Sequence, residues 1–126
     1  MKSVRRISLN ILPLILLCSS LISCAPRHLR PEITSDGVLF SFYAPAAKSV
    51  TIAGSFNAWH LQKDRLTGPD SHGDWTIVLP LPQGRYEYLL FINGKDWQPD
   101  PSVPAVDDGF GGKNSVLFVS EGPSGL

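Results

Sequence analysis

The sequence predicts an all-β protein, an antiparallel β-sandwich that follows an export leader. Three observations lead there. From Gly37 onward, short apolar runs are split by Gly, Pro, Asn and Asp, the punctuation of strands joined by turns. Nowhere do apolar residues recur at helical spacing for long enough to make an amphipathic helix. Before Gly37 the chain reads as an address and a tether, not as part of the fold.

The leader comes first. Lys2, Arg5 and Arg6 give a positive start, followed by an apolar run from Ile7 to Ile22 that Asn10 and Pro13 interrupt. This run is shorter than a comfortable membrane span and has the order of a secretory leader. It ends in Leu21-Ile22-Ser23-Cys24, which resembles the lipobox of bacterial lipoproteins. The resemblance implies that residues 1–23 are a lipoprotein signal peptide and that Cys24 receives lipid. Residues 24–36, with Pro26, Pro31 and no apolar period, are then expected to be a lipid-anchored tether. Ala25 follows the cysteine where an inner-membrane retention signal would place aspartate. The expected location is the cell envelope, with the lipid anchor in the outer membrane if the cell is Gram-negative.

Composition narrows the function further. Cys18 would be discarded with the leader and Cys24 consumed by lipid, so the remaining chain has no thiol for a disulfide, a nucleophile or a metal. Without Lys2, Arg5 and Arg6, eight basic residues face eleven acidic ones, a net charge of −3. A mildly acidic domain without basic clusters argues against nucleic acid as a partner.

Residues 37–120 are expected to be the sandwich, with 121–126 a flexible tail. The apolar runs place strands at Val38–Tyr43, Ser49–Ala53, Trp75–Leu79, Arg85–Ile92, Asp96–Gln98 and Ser115–Ser120. Asn93-Gly94 is a hairpin signal, because both residues tolerate positive φ. Leu81-Pro82-Gln83-Gly84 is a turn feeding the strand Arg85–Ile92. In that strand the two-residue period puts Tyr86, Tyr88, Leu90 and Ile92 on the core face. Arg85, Glu87, Leu89 and Phe91 share the other face, a mixture of charge and bulk that points to more than solvated surface.

Residues suited to catalysis are scarce. His28, His60 and His72 fall in the tether or in loops without a ligand partner at i+2 or i+4, and no Gly-x-Ser-x-Gly elbow occurs. Gly111-Gly112-Lys113 ends like a phosphate loop, but Asn114 stands where Ser or Thr is needed and a strand follows in place of a helix. Asp107-Asp108 falls short of the six to eight oxygens calcium takes and reads as a solvated turn. A sandwich of this size without a deep cleft is a poor frame for the paired carboxylates of a glycosidase. The expectation is a module with no catalytic residue, no metal and no cofactor.

The informative segments are Val50-Thr51-Ile52-Ala53-Gly54-Ser55-Phe56-Asn57-Ala58-Trp59, Leu81-Pro82-Gln83-Gly84-Arg85-Tyr86-Glu87-Tyr88, Trp97-Gln98-Pro99-Asp100-Pro101 and Gly111-Gly112-Lys113-Asn114-Ser115-Val116. In this order they resemble the glycogen-binding modules of carbohydrate-binding module family 48, as found in the β-subunit of AMP-activated protein kinase. The resemblance runs from about Val38 to Val119. It implies an immunoglobulin-like early-set sandwich that binds an α-1,4-glucan or maltooligosaccharide, with a glucan-active enzyme as a further partner. It carries the sugar-stacking role to Trp59 and Trp97 and a hydrogen-bonding role to Asn114.

A glucose ring offers an apolar C–H face for stacking and a rim of hydroxyls for hydrogen bonds. From the residues alone, Trp59 and Trp97 fit packing under loops as well as stacking, and Asn114 fits bonding to its own backbone. Trp75, at the start of a strand, fits the core as well as a surface. The sequence departs from the family at three points. Leu89 stands where the family has a sugar-contacting lysine, Gly112 where it has a threonine, and Phe110 where it has a leucine at the sugar. Phe110 would supply a third ring for stacking. The alternative to glucan binding is an early-set scaffold that docks other domains by its sheet edges.

Overall fold

A computed structural model describes residues 29–121; the leader, Cys24 and all of the expected tail except Glu121 lie outside the described residues. Nine strands and one 3-10 turn occur among them: β1 (Glu32–Thr34), β2 (Gly37–Tyr43), β3 (Val50–Gly54), the 3-10 turn Ser55–Asn57, β4 (Asp64–Arg65), β5 (Asp74–Leu79), β6 (Gly84–Ile92), β7 (Asp96–Gln98), β8 (Ala105–Asp107) and β9 (Lys113–Val119). They pair antiparallel in two sheets. One has the order β1-β2-β5, the other β4-β3-β6-β9-β8, with β7 also paired to β6.

The core lies between the sheets. Val38 and Phe40 from β2 and Trp75 and Leu79 from β5 meet Val50 and Ile52 from β3, Tyr88, Leu90 and Ile92 from β6, and Val119 from β9. Phe40 meets Tyr88 across the gap edge to face, ring centroids 5.2 Å apart at 79°, a favoured aromatic arrangement. Trp75 belongs to this core, and its Nε1 donates to the Ala44 carbonyl at 2.9 Å. A buried indole needs such an acceptor, and the bend after β2 supplies it.

The long strands stand where the apolar runs place them, and the Asn93-Gly94 turn has both residues at positive φ, 55° and 69°. The corrections concern short strands and edges. β1 falls inside the expected tether: Glu32↔Leu39 and Thr34↔Gly37 pair across a hairpin, and Thr34 Oγ1 donates to the Gly37 carbonyl at 2.8 Å. Three residues with one apolar side chain leave no periodic signal, which is why β1 reads as linker. β4, of two residues, and β8, of three, are likewise short edge strands. β8 also moves the start of the last strand from Ser115 to Lys113, because Asp107↔Lys113 and Val106↔Asn114 pair.

Candidate functional site

Strand β6 organises the site. One edge pairs with β3, from Val50↔Ile92 to Gly54↔Tyr88. The other edge pairs first with β9, from Gly84↔Val119 to Tyr88↔Ser115, and then with β7 through Leu90↔Gln98, Phe91↔Trp97 and Ile92↔Asp96. The side chains of Leu89, Phe91 and Trp97 therefore share the outer face of this sheet, away from the core. On that face lies an open groove of about 630 Å³ lined by Trp59, Leu61, Leu89, Trp97, Pro99, Asp108, Gly112 and Lys113.

Trp59 reaches the groove by an unusual backbone path. Gly54 closes β3, and a Cβ there would lie 2.5 Å from the Glu87 carbonyl oxygen, so only glycine fits. The chain then makes the 3-10 turn and passes through Ala58 and Trp59 at φ 53° and 58°, a left-handed conformation that costs non-glycine residues about 1 kcal/mol or more each. Asn57 holds the turn in place. Its Oδ1 accepts from the Gly54 N–H at 2.9 Å, and its Nδ2 donates to the Ile52 carbonyl at 3.1 Å and to Asp64 Oδ2 at 2.7 Å. The Trp59 N–H closes the loop on the Gly54 carbonyl at 2.9 Å. The indole that results is 37% exposed.

Trp97 enters from β7 and is 45% exposed. Phe91, its partner in register on β6, packs against it with ring centroids 4.7 Å apart. The chain after Trp97 is fixed by a buried polar network. Tyr88 donates its hydroxyl to Asp100 Oδ2 at 2.7 Å, Ser102 donates N–H and hydroxyl to Asp100 Oδ1 at 2.8 and 2.6 Å, and the Asp100 N–H donates to Ser115 Oγ at 2.6 Å. Burial, and then the Asp100 carboxylate, hold the Tyr88 phenol well above its ordinary pKa, so the hydroxyl stays a donor.

The third wall is the loop between β8 and β9. Asp108 on that loop and Lys113, the first residue of β9, line the groove there. Phe110, on the same loop, is 95% exposed and outside the lining. Asn114 is 9% exposed and lies in β9 just behind Lys113, also outside the lining. The structure thus brings Trp59 and Trp97 together in one groove, and leaves Asn114 and Phe110 outside its lining.

Sequence reasoning passed over Leu61, Pro99, Asp108 and Lys113. Leu61 and Pro99 carry no periodic signal, and Asp108 and Lys113 sit in stretches read as a solvated turn and a failed phosphate loop. The lining is mainly apolar, with room for flat rings. Among the described residues no group of three or more His, Cys, Asp or Glu is placed to hold a metal ion.

Residues 38–124 match the glycogen recognition site of AMP-activated protein kinase. The chain belongs to that family. It is 32% identical over 97 residues to the bovine (Bos taurus) 5'-AMP-activated protein kinase subunit beta-1, covering 77% of this chain and 32% of the relative. Against the human subunit beta-2 it is 34% identical over 79 residues, 63% of this chain and 28% of the relative. The chain therefore spans about a third of the length of these curated relatives. The glycogen-recognition module is a non-catalytic carbohydrate-binding domain, and the groove lies within the matched residues.

Proposed function

We propose that this protein binds an α-1,4-glucan, such as glycogen, starch or a maltooligosaccharide, in the groove between Trp59 and Trp97, as a lipoprotein attached to the cell envelope through Cys24. One observation carries the reading: both tryptophans line the same open, mainly apolar groove. Two indoles a few residues from turns, each partly exposed and each held by its own support, suit the apolar faces of successive sugar rings. A scaffold that docks by sheet edges has no use for that pair. A single stacked face gives modest affinity, because ordering a flexible glucan opposes binding. A lipid-anchored array offsets this through multivalency on a polymer. The test is retention of the purified full-length chain on insoluble amylose, in a detergent without a sugar headgroup. Retention by wild type and loss in Trp59→Ala and Trp97→Ala is expected. Equal recovery of wild type from amylose and from cellulose would remove the α-glucan assignment.

A further inference from the structure

The groove walls are apolar, so discrimination among flat, apolar-faced ligands falls to the few polar groups that reach it, Asp108 and Lys113. Lys113 is already engaged, its Nζ 3.0 Å from Asp107 Oδ1 with both side chains exposed. Asp108 is held differently. Its Oδ1 accepts from the backbone N–H groups of Phe110 at 2.7 Å and Gly112 at 3.0 Å, and its own N–H donates to the Gly112 carbonyl at 3.1 Å. Two bonds to one oxygen fix the plane of the carboxylate. Oδ2 takes no hydrogen bond among the described residues and leans over Gly112, where an added Cβ would meet it at 2.5 Å.

We propose that Asp108 is the specificity-determining acceptor of the groove, taking hydroxyl hydrogen bonds from the ligand on Oδ2 while Oδ1 anchors the loop. This rests on the glucan reading above and adds to it the chemistry at one edge of the sugar. A half-buried carboxylate with one oxygen already fixed is a pre-organised acceptor, and bonds to a charged acceptor are about twice as strong as neutral ones. The ligand class that follows is a neutral sugar that presents hydroxyl donors at its edge while its apolar face lies on the indoles. An anionic substituent at that edge would meet like charge. Gly112 has a role in this arrangement too, since a side chain there would displace Oδ2.

The experiment is calorimetric titration of maltoheptaose into the full-length chain, in a detergent without a sugar headgroup, with melting curves alongside. Asp108→Asn keeps Oδ1 for the two backbone N–H groups and turns the free oxygen into an amide donor. It should bind about tenfold more weakly, the scale of one charge-assisted hydrogen bond, and melt as wild type does. Asp36→Asn, which alters an exposed carboxylate in the turn between β1 and β2 and away from the groove lining, should bind normally. Gly112→Ala keeps the carboxylate but pushes Oδ2 aside, and should also weaken binding. Full affinity in both Asp108→Asn and Gly112→Ala, or an equal loss in Asp36→Asn, overturns the proposal and leaves the glucan reading standing. Full affinity in Gly112→Ala overturns it even where Asp108→Asn fails to fold. Failure of wild type to bind maltoheptaose overturns both.

Discussion

Phe91 and Trp97 face each other across the β6–β7 pair, ring centroids 4.7 Å apart and planes inclined at 45°. Trp97 lines the groove and Phe91 does not, so Phe91 packs against an indole that it precedes by six residues and helps to hold it. Aromatic pairs of this kind are worth about 0.5–1.5 kcal/mol beyond their burial. Phe91→Ala should therefore weaken maltoheptaose binding by about two- to tenfold, with a modest loss of stability. Unchanged affinity in that variant would show that Trp97 holds its place without its neighbouring ring.

Tyr88 reports on the scaffold. Its hydroxyl donates to Asp100 in a buried site, and Tyr88→Phe leaves a carboxylate oxygen without that donor. The cost should be about 1–3 kcal/mol at neutral pH. The folded phenol has its pKa raised above the unfolded value of about 10. Its stabilisation is therefore complete below pH 10 and lost as pH rises above it. Denaturant unfolding of wild type between pH 9 and 11 should lose stability with a slope that Tyr88→Phe reduces. Identical slopes in the two proteins would separate Tyr88 from the alkaline loss.

These two tyrosine and phenylalanine contacts mark how far the sequence was legible. The two-residue period of β6 separates Tyr88 and Leu90, which are buried, from Leu89 and Phe91, which reach the groove side. The mixed outer face of Arg85, Glu87, Leu89 and Phe91 is the side of the sheet on which the groove lies: Leu89 lines it and Phe91 packs against Trp97. The pairing of Trp59 with Trp97 was legible only through the family motifs. Periodicity says nothing about a loop whose direction depends on left-handed Ala58 and Trp59. β1 was hidden because Glu32-Ile33-Thr34 has too few apolar residues for a pattern, and Asp108 because a carboxylate in a turn looks solvated until its two backbone donors are seen.

Phe110 lies on the loop between β8 and β9, between the lining residues Asp108 and Gly112 in sequence, and is almost fully exposed. Phe110→Ala should leave the melting midpoint unchanged and weaken binding of a long glucan by about threefold, near 0.6 kcal/mol. Maltotriose should be affected less than maltoheptaose, since a ring outside the lining meets only a ligand that extends past it. Equal affinities of wild type and variant for glycogen would take Phe110 out of the sugar contact.

Anchoring is tested at the other end of the chain. Cys24→Ala removes the only thiol that the Leu21-Ile22-Ser23-Cys24 pattern offers for lipid. The expected outcome is loss of membrane partitioning and of leader processing, read by fractionation and intact mass. A variant that matures to the same mass and stays with membranes would contradict the lipoprotein assignment.

Trp59 and Trp97 carry the central claim, and titration of maltoheptaose into wild type, Trp59→Ala and Trp97→Ala tests it most directly. Anchoring residues of this kind cost about 1–3 kcal/mol or more on truncation, and about 1.4 kcal/mol is one decade in affinity. Each substitution should weaken binding about tenfold or more while the melting midpoint stays close to wild type, because both indoles are partly exposed and lie outside the core. Indoles that served packing would behave in the opposite way, losing roughly 3–5 kcal/mol of stability with sugar binding unchanged. That result, or a wild-type protein that binds no α-glucan, would contradict the account.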